Sequence, residues 1–199
     1  MGDYACPVAA ESTPLRVLGF AGSLRAGSYN RALLRAAQEL APPGLTITLF
    51  DLAPIPLYNG DVEAVGDPEP VAAFKQAIAA ADALLMVTPE YNYGIPGVLK
   101  NALDRASRPP RGTPLADKPV ALMGASQGSG GTARAQLQLR QNLVFTGTLA
   151  LLKPEVLVAR AQDKFDADGA LTDADTRRYV GQLLEALAAW TERLRPPGS

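Results

Sequence analysis

The chain has 199 residues, 47% of them hydrophobic and 20% charged, with 19 Lys and Arg against 20 Asp and Glu. Such a length suits about one domain of roughly 150 residues or a little more, and a net charge of −1 implies neither a nucleic-acid-binding field nor an acidic tail. With no histidine and a single cysteine, Cys6, the chain excludes Ser-His-Asp and Cys-His sites, histidine acid–base chemistry, a zinc cluster and an intramolecular disulfide.

Residues 1–14 hold Asp3 and Glu11, no basic region, and only a short apolar run, Ala5 to Ala10, around a proline. They read as a disordered tail and not as a signal peptide. Position 6 is Cys where a myristoylation motif wants Ser or Thr, and no charge-free run of 18 apolar residues occurs. The expected location is the cytoplasm, with which the lone cysteine agrees. One domain is expected over residues 15–195, with 196–199 as a C-terminal tail.

From Leu15 short apolar runs alternate with longer stretches of helical period, the pattern of βαβ units around a parallel sheet. Val17 to Phe20, Ala83 to Val87 and Val120 to Met123 are continuous apolar runs, as strands buried on both faces require. Leu45 to Leu49 alternates apolar residues with Thr46 and Thr48, which places it at a sheet edge. A fifth strand falls within Leu149 to Val158, where Pro154 demotes part of the run.

Among the helices, Leu33, Ala37 and Leu40 share one face of the first. Asp67-Pro68 read as N-cap and first-turn proline of a helix that buries Val71, Phe74 and Ile78, and Pro96 suits the first turn of another. Thr172 and Asp175 resemble a capping box for the last helix, whose Tyr179, Leu183, Leu187, Trp190 and Leu194 form its buried stripe before Pro196-Pro197-Gly198 ends it. One edge strand second in the chain, with strands one, three and four central, matches an α/β flavodoxin-like three-layer sandwich: a five-stranded parallel sheet in the order 2-1-3-4-5. In that order the winding reverses between strands one and three, opening a crevice at their carboxyl ends.

Three loops reach this crevice. Gly22-Ser23-Leu24-Arg25-Ala26-Gly27-Ser28-Tyr29-Asn30-Arg31 holds no acid. Its glycines permit close backbone approach, Ser23, Ser28 and Asn30 offer neutral donors, Arg25 offers a bidentate cation, and the helix N-terminus adds amides. That suits a terminal phosphate, or a turn whose serines cap the helix. No Lys-Ser/Thr pair follows a glycine loop, and Gly19, Gly22 and Gly27 do not fit G-x-G-x-x-G, which disfavours a nucleoside triphosphate and a Rossmann dinucleotide. In Thr88 to Gly97, two tyrosines, an asparagine and a glycine line a flat heteroaromatic ring or pack as a turn against their own helix. Gly124 to Arg134 brings main chain close to a ligand with little bulk, or is a plain connection.

Glu90 is the one carboxylate of these central loops. Beside an electron-rich ring its charge would repel, so a role bonding backbone or a subunit neighbour is favoured over a general base. Lys100 and Asp104, spaced i,i+4, read as a helix-surface pair.

In Gly22 to Asn30 and in Pro89-Glu90-Tyr91-Asn92-Tyr93-Gly94-Ile95-Pro96-Gly97-Val98-Leu99-Lys100-Asn101-Ala102-Leu103-Asp104, the chain resembles the NADPH-dependent FMN reductase family. Its flavodoxin-like members include quinone, azo-dye and chromate reductases. The resemblance continues through Gly130 to Arg134, Leu139 to Gln141 and Lys153 to Glu155, so it spans Leu15 to about Ala159. It implies one FMN per subunit, with Ser23, Arg25, Ser28 and Asn30 around the phosphate and Tyr29 among the cofactor contacts. Pro89, Glu90, Tyr91, Asn92, Tyr93 and Gly94 would lie along the isoalloxazine, and Ser126 and Gly128 near its other edge.

The resemblance further implies an enzyme without catalytic side chains or a metal, in which FMN itself carries hydride from NADPH or NADH to a quinone, azo dye, chromate or free flavin in ping-pong order. Backbone amides of Glu90 to Gly94 or Gly128 to Gly131 would stabilise charge at the ring's N1 and O2. Family members are commonly dimers or tetramers, so a homodimer or homotetramer is expected, with no nucleic-acid or membrane partner. Arg134 and Arg140 would reach either a partner subunit or NADPH, and the sequence does not choose. The alternatives are a flavodoxin-like electron carrier, whose strong acidity a net charge of −1 lacks, and a regulatory domain on the same fold. A phosphatase would need a Cys-x5-Arg loop, which Cys6 does not begin.

Overall fold

In the computed structural model, which describes residues 14–195, β1 (Leu15–Ala21) runs parallel between β2 (Leu45–Phe50) and β3 (Ala83–Val87), and β4 (Pro119–Ala125) follows beside β3. The expected tail of residues 1–14 falls outside the described residues except for Pro14, as do the closing residues 196–199. The continuous apolar runs arise because each central strand feeds two cores. Val17, Ala21, Leu85, Val87, Ala121 and Met123 enter one cluster, and Leu18, Phe20, Leu84, Met86, Val120 and Leu122 enter the other. With side chains alternating at period two, neither set tolerates a polar residue. The first cluster is covered by α1 (Tyr29–Glu39) and α6 (Ala174–Leu194). The second is covered by α3 (Glu69–Ala80), α4 (Gly97–Ala106) and α5 (Ala133–Thr146), α2 (Gly60–Glu63) being a single turn. This is the expected flavodoxin-like sandwich in the order β2-β1-β3-β4-β5. β2 pairs with β1 alone and exposes Thr46 and Thr48, as an edge strand should.

The fifth position corrects the expected count. Two segments occupy it, β5 (Leu149–Ala150) opposite Pro119 and Val120, and β6 (Val156–Val158) opposite Met123 to Ala125, so the sheet has six strands. Between them Pro154, which has no N–H to give a ladder, stands outside the pairing.

The helix starts also differ from expectation. Pro68 is itself the N-cap of α3, and Asp67 instead pairs with Lys75 at 2.5 Å. Pro96 is likewise the N-cap of α4 rather than a first-turn residue. On α6 the cap is Asp173 and not Thr172. Its carboxylate accepts the Thr176 N–H at 2.9 Å, the Thr176 hydroxyl at 2.6 Å and the Lys164 ammonium at 2.7 Å. Lys164 and Thr176 together hold the Asp173 carboxyl down to about 2. The buried stripe of α6 is Val180, Leu183, Leu184 and Leu187. Tyr179 is 47% exposed, and Trp190 is half-buried with its indole N–H donating to the Leu149 carbonyl at 3.0 Å. Leu183 and Leu187 hold their expected places, and Val180 and Leu184 complete the stripe on the adjoining column of the helix. Val71, Phe74 and Ile78 of α3 are fully buried as expected.

At the carboxyl end of the sheet Gly124 lets two loops close on β4. A β-carbon there would stand 2.1 Å from the Thr88 carbonyl oxygen and 2.5 Å from Thr132 Oγ1. Since the nearer atom is backbone, Gly124→Ala is expected to cost about 3 kcal/mol, read as a lower urea midpoint in the flavin-free protein. An unchanged midpoint would contradict this packing.

Candidate functional site

The loops after β1, β3 and β4 enclose a cavity of about 350 Å³ at the switch point. Of the residues singled out in the sequence, Ser23, Arg25, Ser28, Tyr29, Asn30, Pro89, Glu90, Tyr91 and Ser126 line it. Asn92, Tyr93, Gly94 and Gly128 do not, and Ala125 and Gln127 join unforeseen.

The first wall is built by the start of α1. The Ser28 oxygen accepts from the Asn30 N–H at 3.2 Å and the Arg31 N–H at 3.4 Å, so it caps the helix while its own O–H stays free to donate. The N–H groups of Ser23 to Gly27 and of Tyr29 have no intrachain partner among the described residues. Arg25 donates to the Gly27 carbonyl at 2.7 Å and has no carboxylate partner among the described residues. Asn30 differs in role from its neighbours. Its buried side chain donates to the Ala125 carbonyl and accepts the Ala125 N–H, both at 2.8 Å, strapping α1 to the end of β4.

In the second loop Tyr91 and Gly94 exchange two N–H···O bonds of 2.9 Å, closing a hairpin with Asn92 and Tyr93 at its tip. The Glu90 side chain, 8% exposed, turns away toward α5. Its carboxylate accepts the Arg134 N–H at 3.0 Å, the Ala135 N–H at 3.2 Å and the Arg134 guanidinium at 2.6 Å. The residue at the N-cap of α5, Thr132, makes no side-chain capping bond, so Glu90 caps that helix from another loop. Burial pushes the Glu90 carboxyl up, but the Ala135 and Arg134 donors outweigh it and leave it below the ordinary carboxylate range. Both arginines left open by the sequence now have places: Arg134 on Glu90, and Arg140 donating to the Leu151 carbonyl at 2.8 Å. Lys100 and Asp104 form the expected surface pair at 2.6 Å.

The third loop is pinned rather than loose. Ser126 donates its N–H to the Val158 carbonyl at 2.9 Å and accepts from the Ala161 N–H at 3.0 Å, and the Gly128 carbonyl accepts from the Arg160 N–H at 3.2 Å. The Gly128 N–H is spent on Ser126 Oγ at 3.2 Å. Gln127 lies within the glycine- and serine-rich loop after β4, and its larger side chain joins Ser126 in lining the cavity. Nothing local marks residues 158–161 as its support.

Unpaired amides, a free hydroxyl proton and an uncompensated guanidinium on one side, with tyrosine and main chain on the others, make an anion cradle beside a slot for a planar ring. The volume lies within the roughly 300–1,000 Å³ of small-molecule sites, and the acid in the wall has its charge met by α5, so the residues fit the phosphate and ring of a flavin mononucleotide. Fold and cavity together define a flavodoxin-like protein of the nucleotide-binding α/β class.

The family model described as NADPH-dependent FMN reductase matches residues 15–163, and the chain belongs to that family of NAD(P)H-dependent, FMN-using oxidoreductases. An NAD(P)H-dependent FMN reductase of Pseudomonas aeruginosa is 55% identical over 184 residues, covering 92% of this chain and 99% of that one. A 2-hydroxy-1,4-benzoquinone reductase of a Burkholderia species is 41% identical over 181 residues, covering 91% and 98%. In three dimensions the chain matches the flavoenzyme NAD(P)H:(acceptor) oxidoreductase of Paracoccus denitrificans with a TM-score of 0.82 at 36% identity, covering 90% of this chain and 98% of that one.

The lowered Glu90 carboxyl carries a sign. Its stabilisation is present above the ordinary glutamate value of 4.5 and is lost as pH falls through the lowered folded value. The gap in melting temperature between the natural chain and Glu90→Gln is therefore expected to be full at neutral pH and to close in acid. A gap constant down to about pH 3 would show that the carboxylate charge does not tie the loop.

Proposed function

We propose that the protein passes hydride from NADPH or NADH, by way of FMN held in this cavity, to a quinone, and that it accepts other small oxidants such as azo dyes, chromate or free flavin. The cradle after β1 carries the reading. Ser23, Arg25, Ser28 and Tyr29 surround the phosphate, and Asn30 holds that wall against β4. Pro89, the Glu90 backbone and Tyr91 line the ring, Ser126 borders its far edge with Gly128 behind it as a support, and Asn92 to Gly94 close the turn. Bound FMN supplies the hydride-accepting and hydride-donating centre. The protein's own part is to hold donors toward developing negative charge, and Glu90, the carboxylate in the wall, is held by the start of α5 and Arg134 rather than acting as an acid or base. Donor and oxidant that both approach the one open face of a flavin held here would enter in turn, hence ping-pong kinetics. The relatives named as quinone reductases, including an NAD(P)H:quinone oxidoreductase of Solanum tuberosum, support a quinone as oxidant.

FMN-loaded protein is expected to oxidise NAD(P)H with a quinone, giving parallel double-reciprocal plots, whereas a carrier alone would show almost no turnover. Arg25→Ala should weaken FMN binding by about 10- to 100-fold in a fluorescence titration, with the melting of the flavin-free chain unchanged. An unaltered affinity would remove the phosphate from this loop.

We further propose a homodimer or homotetramer. Leu137, Val144 and Phe145 are exposed along one side of α5, Phe145 to 75%, with exposed Leu152 after β5. An apolar row of this kind on an enzyme surface marks a contact. Light scattering should give a multiple of 20.9 kDa that falls toward the single chain in Val144→Lys/Phe145→Lys. A natural chain already at that mass would refute the assembly.

A further inference from the structure

Helix α1 carries its charges the wrong way round. Arg31 stands in its first turn, Arg35 one turn on and Glu39 at its end, with no acid in the first turn and no base in the last. The helix dipole opposes cations at the amino end, and like charges spaced i,i+4 repel. Local pairing does not offset this. Among the described residues the Arg35 side chain has no hydrogen bond or ion pair, so Glu39, four residues on, leaves it unmet. The Arg31 side chain has only Asp51 at 4.0 Å, whose Oδ1 already accepts the Ala53 N–H at 3.1 Å.

Both arginines border a second cleft, of about 240 Å³, between α1 and the carboxyl end of β2. Ser23 lines this cleft and the first cavity alike, so the two are neighbours across one residue. The floor is apolar. Leu34 and Leu49 converge over Gly19, where a β-carbon would stand 2.8 Å from Leu34 Cδ1 and 3.6 Å from Leu49 Cδ2, and Leu49 stays 39% exposed. The cleft thus joins an uncovered apolar seat to two cations that share one half-spent carboxylate. Such a place takes a flat base with a phosphate beside it.

We propose that Arg31 and Arg35 hold the adenosine 2′-phosphate of NADPH, and that this cleft makes the chain prefer NADPH to NADH; the inference rests on the reductase reading above. FMN brings one phosphate, which the cradle of Ser23 to Ser28 takes, so a second cationic place beside it calls for the other phosphate-bearing molecule of the reaction. The apolar floor decides which of that molecule's phosphates is held. The 2′-phosphate sits on the ribose that carries adenine, whereas the pyrophosphate, common to both donors, lies between two riboses. Each arginine offers the forked N–H pair that phosphate oxygens accept.

The test compares the natural chain with Arg31→Ala/Arg35→Ala and uses 2′-AMP to probe the cleft. In FMN-loaded protein with 1,4-benzoquinone as oxidant, the double variant should lower kcat/KM for NADPH about 10- to 100-fold and that for NADH by less than about threefold, with FMN affinity unmoved. Calorimetry should show the natural chain binding 2′-AMP more tightly than 5′-AMP, and the double variant losing that difference. The flavin-free double variant should melt no lower than the natural chain, because the cations removed oppose the dipole. A natural chain that uses NADH as well as NADPH, an equal loss with both donors, or no loss at all overturns the proposal. So does a lowered FMN affinity, which puts the arginines in the flavin site, or a lowered melting temperature, which makes them structural. Should the natural chain bind no FMN, the reductase reading falls instead, and 2′-AMP titrated into the flavin-free chain still decides the cleft. Binding must then vanish in the double variant and persist in Arg25→Ala; the reverse overturns it.

Discussion

The cavity depends on the clasp between the Asn30 amide and the Ala125 backbone. Those residues are 95 apart in sequence, yet they share a donor and an acceptor in each direction at 2.8 Å in a buried place. Either bond lost would strand a buried polar group of the main chain, at a cost of about 1–3 kcal/mol. The clasp sets the spacing between the wall after β1 and the wall after β4. Glu90 does the same work between the loop after β3 and α5. Three loops, ordinarily the most variable parts of such a fold, are thereby joined into one enclosure by two side chains that spend their polar atoms on neighbouring backbone.

Those clasps also decide the electrostatics. Glu90 brings a full negative charge to the wall, and the first turn of α5 with Arg134 answers it, so the charge does not oppose an anionic ligand. Arg25, bonded only to a carbonyl, remains as positive charge next to the unpaired amides. The enclosure is cationic at one end and neutral along the rest, which suits a molecule with a charged tail and a flat, neutral head. A chain without histidine builds such a place readily, because position and backbone dipoles are what a cofactor enzyme has to supply.

How much of this was legible follows from the range of each interaction. The central strands and their order were readable because burial on both faces leaves no polar residue in Ala83 to Val87 or Val120 to Met123. The phosphate wall was readable because its donors sit within one short segment. Asn30 was picked for that wall, but nothing near it announces Ala125 as its partner. Helix caps went astray for a similar reason: Asp67 and Thr172 are reasonable caps locally, yet Lys75 claims the first and Asp173, supported by Lys164, displaces the second. Arg105 shows the limit most plainly. It is fully buried in α4, donating to the carbonyls of Pro56 and Leu57, and only the folded path of that distant loop explains it.

The interruption between β5 and β6 is itself dictated by sequence, and it serves the cavity. Had the register that sets Leu149 opposite Pro119 continued unbroken, Lys153 would stand opposite Met123 and Glu155 opposite Ala125. Met123 and Ala125 point into the core under α1 and α6, so both charges would follow them into it. Instead β6 enters three residues later, which sets Val156 and Val158 in those places and leaves Lys153 and Glu155 outside, paired with each other at 3.0 Å. Pro154 gives up no ladder bond by standing in the gap. The same delay brings Val158, Arg160 and Ala161 level with the end of β4, where their backbone groups take hold of Ser126 and Gly128. One odd-numbered slip therefore both keeps two charges out of the core and fixes the third wall of the site.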